Sequence, residues 1–253
     1  MPSTHKRWKP TLRRFGVTFL LCCCLLMGGC RHSEKDFKIF VASSMTEFVD
    51  ILLPELTDRY PGLQVQINIA GSGTLVNQIV EGADADVVLL AGANHMARLQ
   101  AENAFLPPVP IARNSLTVVV SSNLAESVTT ISDLRDAGLQ GAVCVPGAPC
   151  GELAVAFARA VNLDLSNATR EPNVKAVLSK VVRGEVDYGF VYRSDALMAA
   201  NEVKAIEAEG LDSFTTSYSL ALKNSDEVSV SFLEVVTQSK VSRVLEELGF
   251  LSR

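Results

Sequence analysis

Two serines stand out for their position. Ser44 lies in Val41-Ala42-Ser43-Ser44-Met45-Thr46 and Ser72 in Ala70-Gly71-Ser72-Gly73-Thr74-Leu75; in both stretches a run of β-branched and apolar residues gives way to a helical pattern. Each serine is therefore expected at a strand-to-helix turn. A helix start presents backbone N–H groups without intrahelical partners and the positive end of the macrodipole, and a serine hydroxyl adds one more donor. Two such starts aimed at one point make a site for a small anion. The turns Pro149-Cys150-Gly151 and Pro172-Asn173-Val174 also precede helical patterns, and Tyr192 follows a strand pattern directly. Amides and hydroxyls can replace the water shell of a tetrahedral dianion without contributing net charge, and they discriminate by the size of the pocket they define.

Taken singly, each residue has a plainer role. A serine at a helix start is usually an N-cap, and a tyrosine closing a strand is commonly a core or rim residue. Asp86 reads as a cap or partner within the fold, Asp195 as a cap for the helix after Tyr192, Arg193 as half of a surface ion pair, and His95 as solvent-facing.

The elements that must position these groups alternate. Phe37 to Ala42 is a short buried strand, followed by a helix over about Met45 to Tyr60 with Phe48, Ile51, Leu52, Leu56 and Tyr60 at helical spacing, ended by Pro61-Gly62. Leu63 to Ala70 alternates with β period, a helix covers Thr74 to Glu81, Ala85 to Leu90 is a buried strand and Asn94 to Glu102 a helix. This order implies a mainly parallel sheet, whose ligands sit beyond the carboxyl ends of its strands. After Pro107, Pro108 and Pro110, the extended run Ser115 to Ser121 is expected to cross into a second lobe with the same alternation: helix Ile131 to Ala137, strand Ala142 to Val145, helix Glu152 to Val161, helix Val174 to Arg183 and strand Asp187 to Val191. Phe214 to Leu222 carries the chain back, and Glu227 to Phe250 supplies terminal helices. The expected fold is an α/β clamshell of two lobes, 36–112 plus 220–253 and 113–219, hinged on two crossovers.

Residues 1–30 differ in kind. Lys6, Arg7, Lys9, Arg13 and Arg14 precede the uncharged run Phe15 to Met27, which is too short to span a bilayer comfortably but matches a secretory signal. The segment ends Met27-Gly28-Gly29-Cys30, resembling a lipobox in which Cys30 is lipidated after cleavage. Removal of residues 1–30 takes five of 23 basic residues and none of the 28 acidic ones, leaving a formal charge of about −10. That balance argues against a nucleic-acid partner, and an anion must be bound locally against the mean field. Beyond Cys22, Cys23, Cys24 and Cys30, only Cys144 and Cys150 remain, and in an exported chain they read most simply as a disulfide. A two-thiol metal site is the rival, short of ligands because His5, His32 and His95 are the only histidines.

With these residues in view, the sequence from Phe37 onward resembles the bacterial periplasmic molybdate-binding proteins, the solute receptors of molybdate ABC importers. The resemblance rests on Ala42-Ser43-Ser44-Met45-Thr46, on Gly71-Ser72-Gly73-Thr74-Leu75 with Gln78-Ile79 and Gly82-Ala83-Asp84-Ala85-Asp86, on Cys144-Val145-Pro146 with Pro149-Cys150-Gly151, and on Gly189 to Ala196. It implies a monomeric receptor, lipid-anchored at the cell envelope, with no cofactor, no direct metal-ion ligands and an ABC permease as partner. Its ligand is molybdate or tungstate. Ser44 and Ser72 would give hydroxyl and backbone N–H, Cys150 and Val174 backbone N–H, and Tyr192 its phenol. Leu90-Ala91-Gly92-Ala93 departs from a family pattern that often has a serine and an acid there. Two other readings compete: a receptor for another oxyanion such as sulfate, and an enzyme on the same bilobal fold. The second has little to build on, because the chain carries no G-x-S-x-G elbow, HExxH or P-loop.

Overall fold

Nine β-strands order the chain in the computed structural model, which describes residues 36–252 apart from 103, 137 and 207. Residues 1–30, expected to direct export, lie outside the described residues, and Cys30 with them. In chain order, β1 (Phe37–Ala42), α1 (Thr46–Arg59), β2 (Val65–Ala70), α2 (Ser72–Val80), β3 (Val87–Ala91) and α3 (Ala93–Glu102) form the first alternation. Next come β4 (Val109–Ser121), α4 (Ile131–Asp136), β5 (Gly141–Cys144), α5 (Pro149–Ala160), β6 (Thr169–Glu171), α6 (Val174–Val182), β7 (Tyr188–Tyr192) and α7 (Arg193–Met198). The chain closes with β8 (Val203–Ile206), β9 (Thr215–Leu222), α8 (Glu227–Thr237) and α9 (Ser239–Glu247).

The strands lie in the order β2-β1-β3-β9-β4-β7-β5-β6, with β8 paired to β4. β1 is parallel to β2 and β3, and β5 is parallel to β6 and β7. Each parallel group has helices on both faces, so its inner strands β1, β3, β5 and β7 are buried and β1 alternates between two cores. Ile39 and Val41 point to one cluster with Phe48, Leu52 and Phe232, while Phe40 points to another with Leu75, Val88 and Leu99. In the second lobe, Val118 and Val120 join Phe157 and Phe190, and Val119 joins Val177 and Val191. Phe48 is wholly buried, and truncating such a side chain costs about 3–5 kcal/mol.

The two lobes are joined through the long strand β4. Its first half pairs antiparallel with β9, which also pairs with β3; its second half pairs with β7 and β8. The crossover therefore begins at Val109, earlier than Ser115, with Pro110 accommodated where the register shifts between Pro110 and Ala112. Helices α2 and α5 also start earlier than their apolar patterns suggest. The glycine in each first turn interrupts the pattern, and Pro149 at N1 of α5 has its φ set for a helix start. Ile51 is 50% exposed: the buried stripe of α1 runs through Phe48, Leu52 and Leu56, and Ile51 falls beside it. Among the described residues, no helix is long and apolar enough to cross a membrane.

Candidate functional site

The parallel strands of both lobes end at one place. Residues from the turns after β1, β2 and β3 (Ala42, Ser43, Ser44, Gly71, Ser72, Ala91) and after β5, β6 and β7 (Ala148, Pro149, Cys150, Asn173, Val174, Tyr192) line a single cavity of about 20 Å³. All five residues singled out as anion ligands, Ser44, Ser72, Cys150, Val174 and Tyr192, are among them, and no charged residue is.

Neither serine serves its helix as a side-chain cap. Ser44 sits in a 3₁₀ turn, Ser43–Met45, before α1, and its Oγ lies 2.8 Å from Tyr218 Oη. The N-cap of α2 is Gly71, and Ser72 is the first helical residue; its Oγ accepts from Ala91 N at 2.9 Å. An oxygen that accepts in this way keeps its own hydrogen to donate elsewhere. Cys150 and Val174 lie in the first turns of α5 and α6, where backbone N–H groups have no intrahelical acceptor. Asn173 caps α6 by accepting from Ala176 N, which leaves the Val174 N–H uncommitted to the cap. A disulfide joins Cys144 at the end of β5 to Cys150, fixing the turn between them.

Tyr192 is 2% exposed, and its Oη has no partner with hydrogen-bond geometry among the described residues. Burial, reinforced by Tyr218 and Asp195, pushes the phenol well above its usual pKa against a smaller opposing effect of Thr216, so it is a neutral donor. Thr216 therefore stands within weak hydrogen-bonding reach of the phenol without full hydrogen-bond geometry, and a better-placed acceptor can compete for its donor. The Tyr218 phenol is likewise held protonated, first by burial. The two rings meet edge to face with centroids 6.4 Å apart.

The lobes touch closely here. A Cβ on Gly71 would lie 2.6 Å from the Pro172 carbonyl oxygen of the opposite lobe, so a residue without a side chain is needed at this point. A wider cavity of about 470 Å³ adjoins, sharing Gly71 and Ala148 and lined also by Thr74, Asn77, Asn94, His95, Arg98 and Glu152. It is wider and contains a carboxylate, which suits a cleft mouth better than a seat for a stripped anion. His95 is not solvent-facing: it is only 8% exposed, and α3 tucks it beneath the Gly147 turn, where burial lowers its pKa. Among the described residues, no group of three or more His, Cys, Asp or Glu could hold a metal ion.

Asp195 does cap α7, its Oδ2 accepting from Tyr192 N at 3.1 Å, but it also lies 3.0 Å from Lys175 Nζ. Asp86 accepts from Lys38 N at 2.9 Å, and Arg193 is exposed. Sequence reasoning missed Tyr218 and Lys175. The alternation of Thr216, Tyr218, Leu220 and Leu222 on the buried face of β9 carried a signal for Tyr218; Lys175 looked like any helix cation.

The chain is 28% identical over 226 residues to the molybdate-binding protein ModA of Mycobacterium tuberculosis, covering 88% of this chain and 87% of that protein. Among solved structures, the substrate-binding domain of a putative molybdenum ABC transporter from Clostridium difficile is 25% identical with a TM-score of 0.61, covering 86% of this chain and 99% of that one. The periplasmic molybdate-binding protein of Azotobacter vinelandii, at 19% identity, shares the fold with a TM-score of 0.73, covering 86% of this chain and all of that one. The model of the bacterial extracellular solute-binding protein family matches residues 37–251, and this chain belongs to that family.

Proposed function

We propose that this protein is a non-enzymatic receptor that captures molybdate, and tungstate of nearly the same size and charge, and delivers it to an ABC permease. The observation that carries this reading is the uncharged cavity where six turns from two lobes converge, with Ser44, Ser72, Cys150, Val174 and Tyr192 among the residues that line it. The buried Tyr192 hydroxyl, with no well-formed bond inside the fold, adds to it. Donors that bear no charge suit a desolvated dianion, and the name of the M. tuberculosis relative points to the same ligand.

In this reading the lobes divide as 36–112 plus 220–253 and 113–219, and β4 and β9 act as the hinge strands for closure around the anion. Residues 1–30 direct export, Cys30 carries the lipid that holds the monomer at the cell envelope, and the ligand is the only small molecule the site needs.

Calorimetric titration of the chain from Cys30 onward with molybdate, tungstate, sulfate and phosphate tests the proposal. Saturable one-to-one binding of the first two alone is expected. Preference for sulfate or phosphate would replace it with the other-oxyanion reading, and turnover of an ester would replace it with an enzyme.

A further inference from the structure

Val174 is followed by a lysine whose ammonium reaches two other turns of the site. Lys175 Nζ lies 2.6 Å from Glu47 Oε1, in the first turn of α1 just beyond Ser44, and 3.0 Å from Asp195 Oδ1. Asp195 is wholly buried and its other oxygen holds the backbone N–H of Tyr192. One side chain thus connects the turns that carry Ser44, Val174 and Tyr192. The Glu47 and Asp195 contacts differ in kind. α6 and α7 pack in the same core of the second lobe, through Val174, Val177 and Ala196, whereas α1 packs in the first lobe through Phe48 and Leu52. The pairs Lys38–Asp84, Arg98–Glu102 and Lys240–Glu55 stay within the first lobe, and Lys180–Glu171 and Arg183–Glu185 within the second. Lys175–Glu47 joins the two.

We propose that Lys175 is a positioning residue that latches the closed cleft: anchored on Asp195, it engages Glu47 only when the lobes meet, and so governs how fast a bound anion leaves. This rests on the oxyanion reading of the cleft. A buried Asp195 keeps the lysine in place in both states, because leaving that carboxylate without its cation is far more costly than losing a half-exposed partner. The ligand-free lobes close part of the time and the Glu47 contact favours that closed fraction; once an anion is bound, the contact acts on its dissociation more than on association.

The test compares wild type with Lys175→Met, Lys175→Arg and Glu47→Gln, following release of radiolabelled molybdate and, separately, small-angle scattering of the ligand-free protein. Glu47→Gln changes a half-exposed side chain and leaves the buried pair intact, so it remains folded if Lys175→Met does not. Faster release, roughly five-fold for Glu47→Gln, is expected with association nearly unchanged. Lys175→Arg should retain slow release, and ligand-free scattering should shift toward a more open particle in Glu47→Gln. Unchanged release and unchanged scattering in Glu47→Gln would overturn the latch. If wild type binds no oxyanion, the functional reading fails by itself, and the scattering comparison still decides the latch.

Discussion

Tyr192 is the residue where fold and function make opposite demands. Its hydroxyl is buried with no well-formed hydrogen bond, only a weak one toward Thr216, so a bound oxyanion would give it a better acceptor. Replacing Tyr192 with Phe removes that donor while keeping the ring packed against Tyr218. The ligand-free Tyr192→Phe protein is therefore expected to melt at the same temperature as wild type or slightly higher. Its affinity for molybdate should fall by about 1.5–3 kcal/mol, the worth of a hydrogen bond to a charged group. Thermal unfolding without ligand and calorimetry with it check the two halves; an unchanged affinity would remove Tyr192 from the site. Both serines were visible in the sequence as strand-to-helix residues, but their bonds were not. Tyr218 and Ala91 N, which hold the two hydroxyls, come from elements distant along the chain, and no local pattern encodes such partners.

At the scale of elements, the site is made by strand ends and the first turns of helices. Those in the first lobe were legible because β1 and β3 are mostly apolar runs, β2 alternates and α1 carries an apolar stripe through Phe48, Leu52 and Leu56. The short strands β6 and β8, of three and four residues with charged members, carry too few residues for any period, and they appear only because β5 and β4 offer them pairing partners. The start of α2 shows what positions a ligand turn. Gly71 has φ −65° and ψ 142°, a conformation open to any residue, so the local backbone does not demand glycine. The demand comes from Pro172 across the cleft. Gly71→Ala should therefore cost the ligand-free protein only the N-cap preference for glycine over alanine, about 1 kcal/mol. Its clash arises only as the lobes close, so anion affinity should drop sharply. Equal affinities for Gly71→Ala and wild type, measured by calorimetry, would mean that closure does not bring these turns together.

For the whole molecule, the relation between closure and proton uptake can be worked out from the Asp195 cluster. Burial raises the Asp195 carboxyl to about 6 from 3.8, with Lys175 and the Tyr192 amide pulling the other way and Glu47 adding to the rise. Burial also works to lower Lys175, but Asp195 and Glu47 outweigh it and hold the lysine above its usual pKa, so it stays charged across this range. Tyr218 faces Asp195 as well and remains neutral. Because the folded pKa exceeds the unfolded one, the folded state binds the extra proton between about pH 4 and pH 6. The contribution of Asp195 to stability is then fully present below pH 4 and is lost as pH rises through 6, by an amount on the order of 3 kcal/mol. Ligand retention runs the other way, since a protonated Asp195 no longer anchors Lys175 against Glu47. Lowering the pH from 7.5 to 5.5 should thus make the ligand-free protein harder to unfold and the bound anion quicker to leave. Burial also lowers the pKa of His95 in the adjoining cavity, near Glu152 and Arg98, so the comparison needs Asp195→Asn. That variant can still accept from Tyr192 N but cannot ionise, and it should flatten both pH dependences together. Denaturant melts and molybdate release at the two pH values measure them; if release in Asp195→Asn keeps the wild-type slope, the proton acts elsewhere and the cluster is not what couples closure to pH.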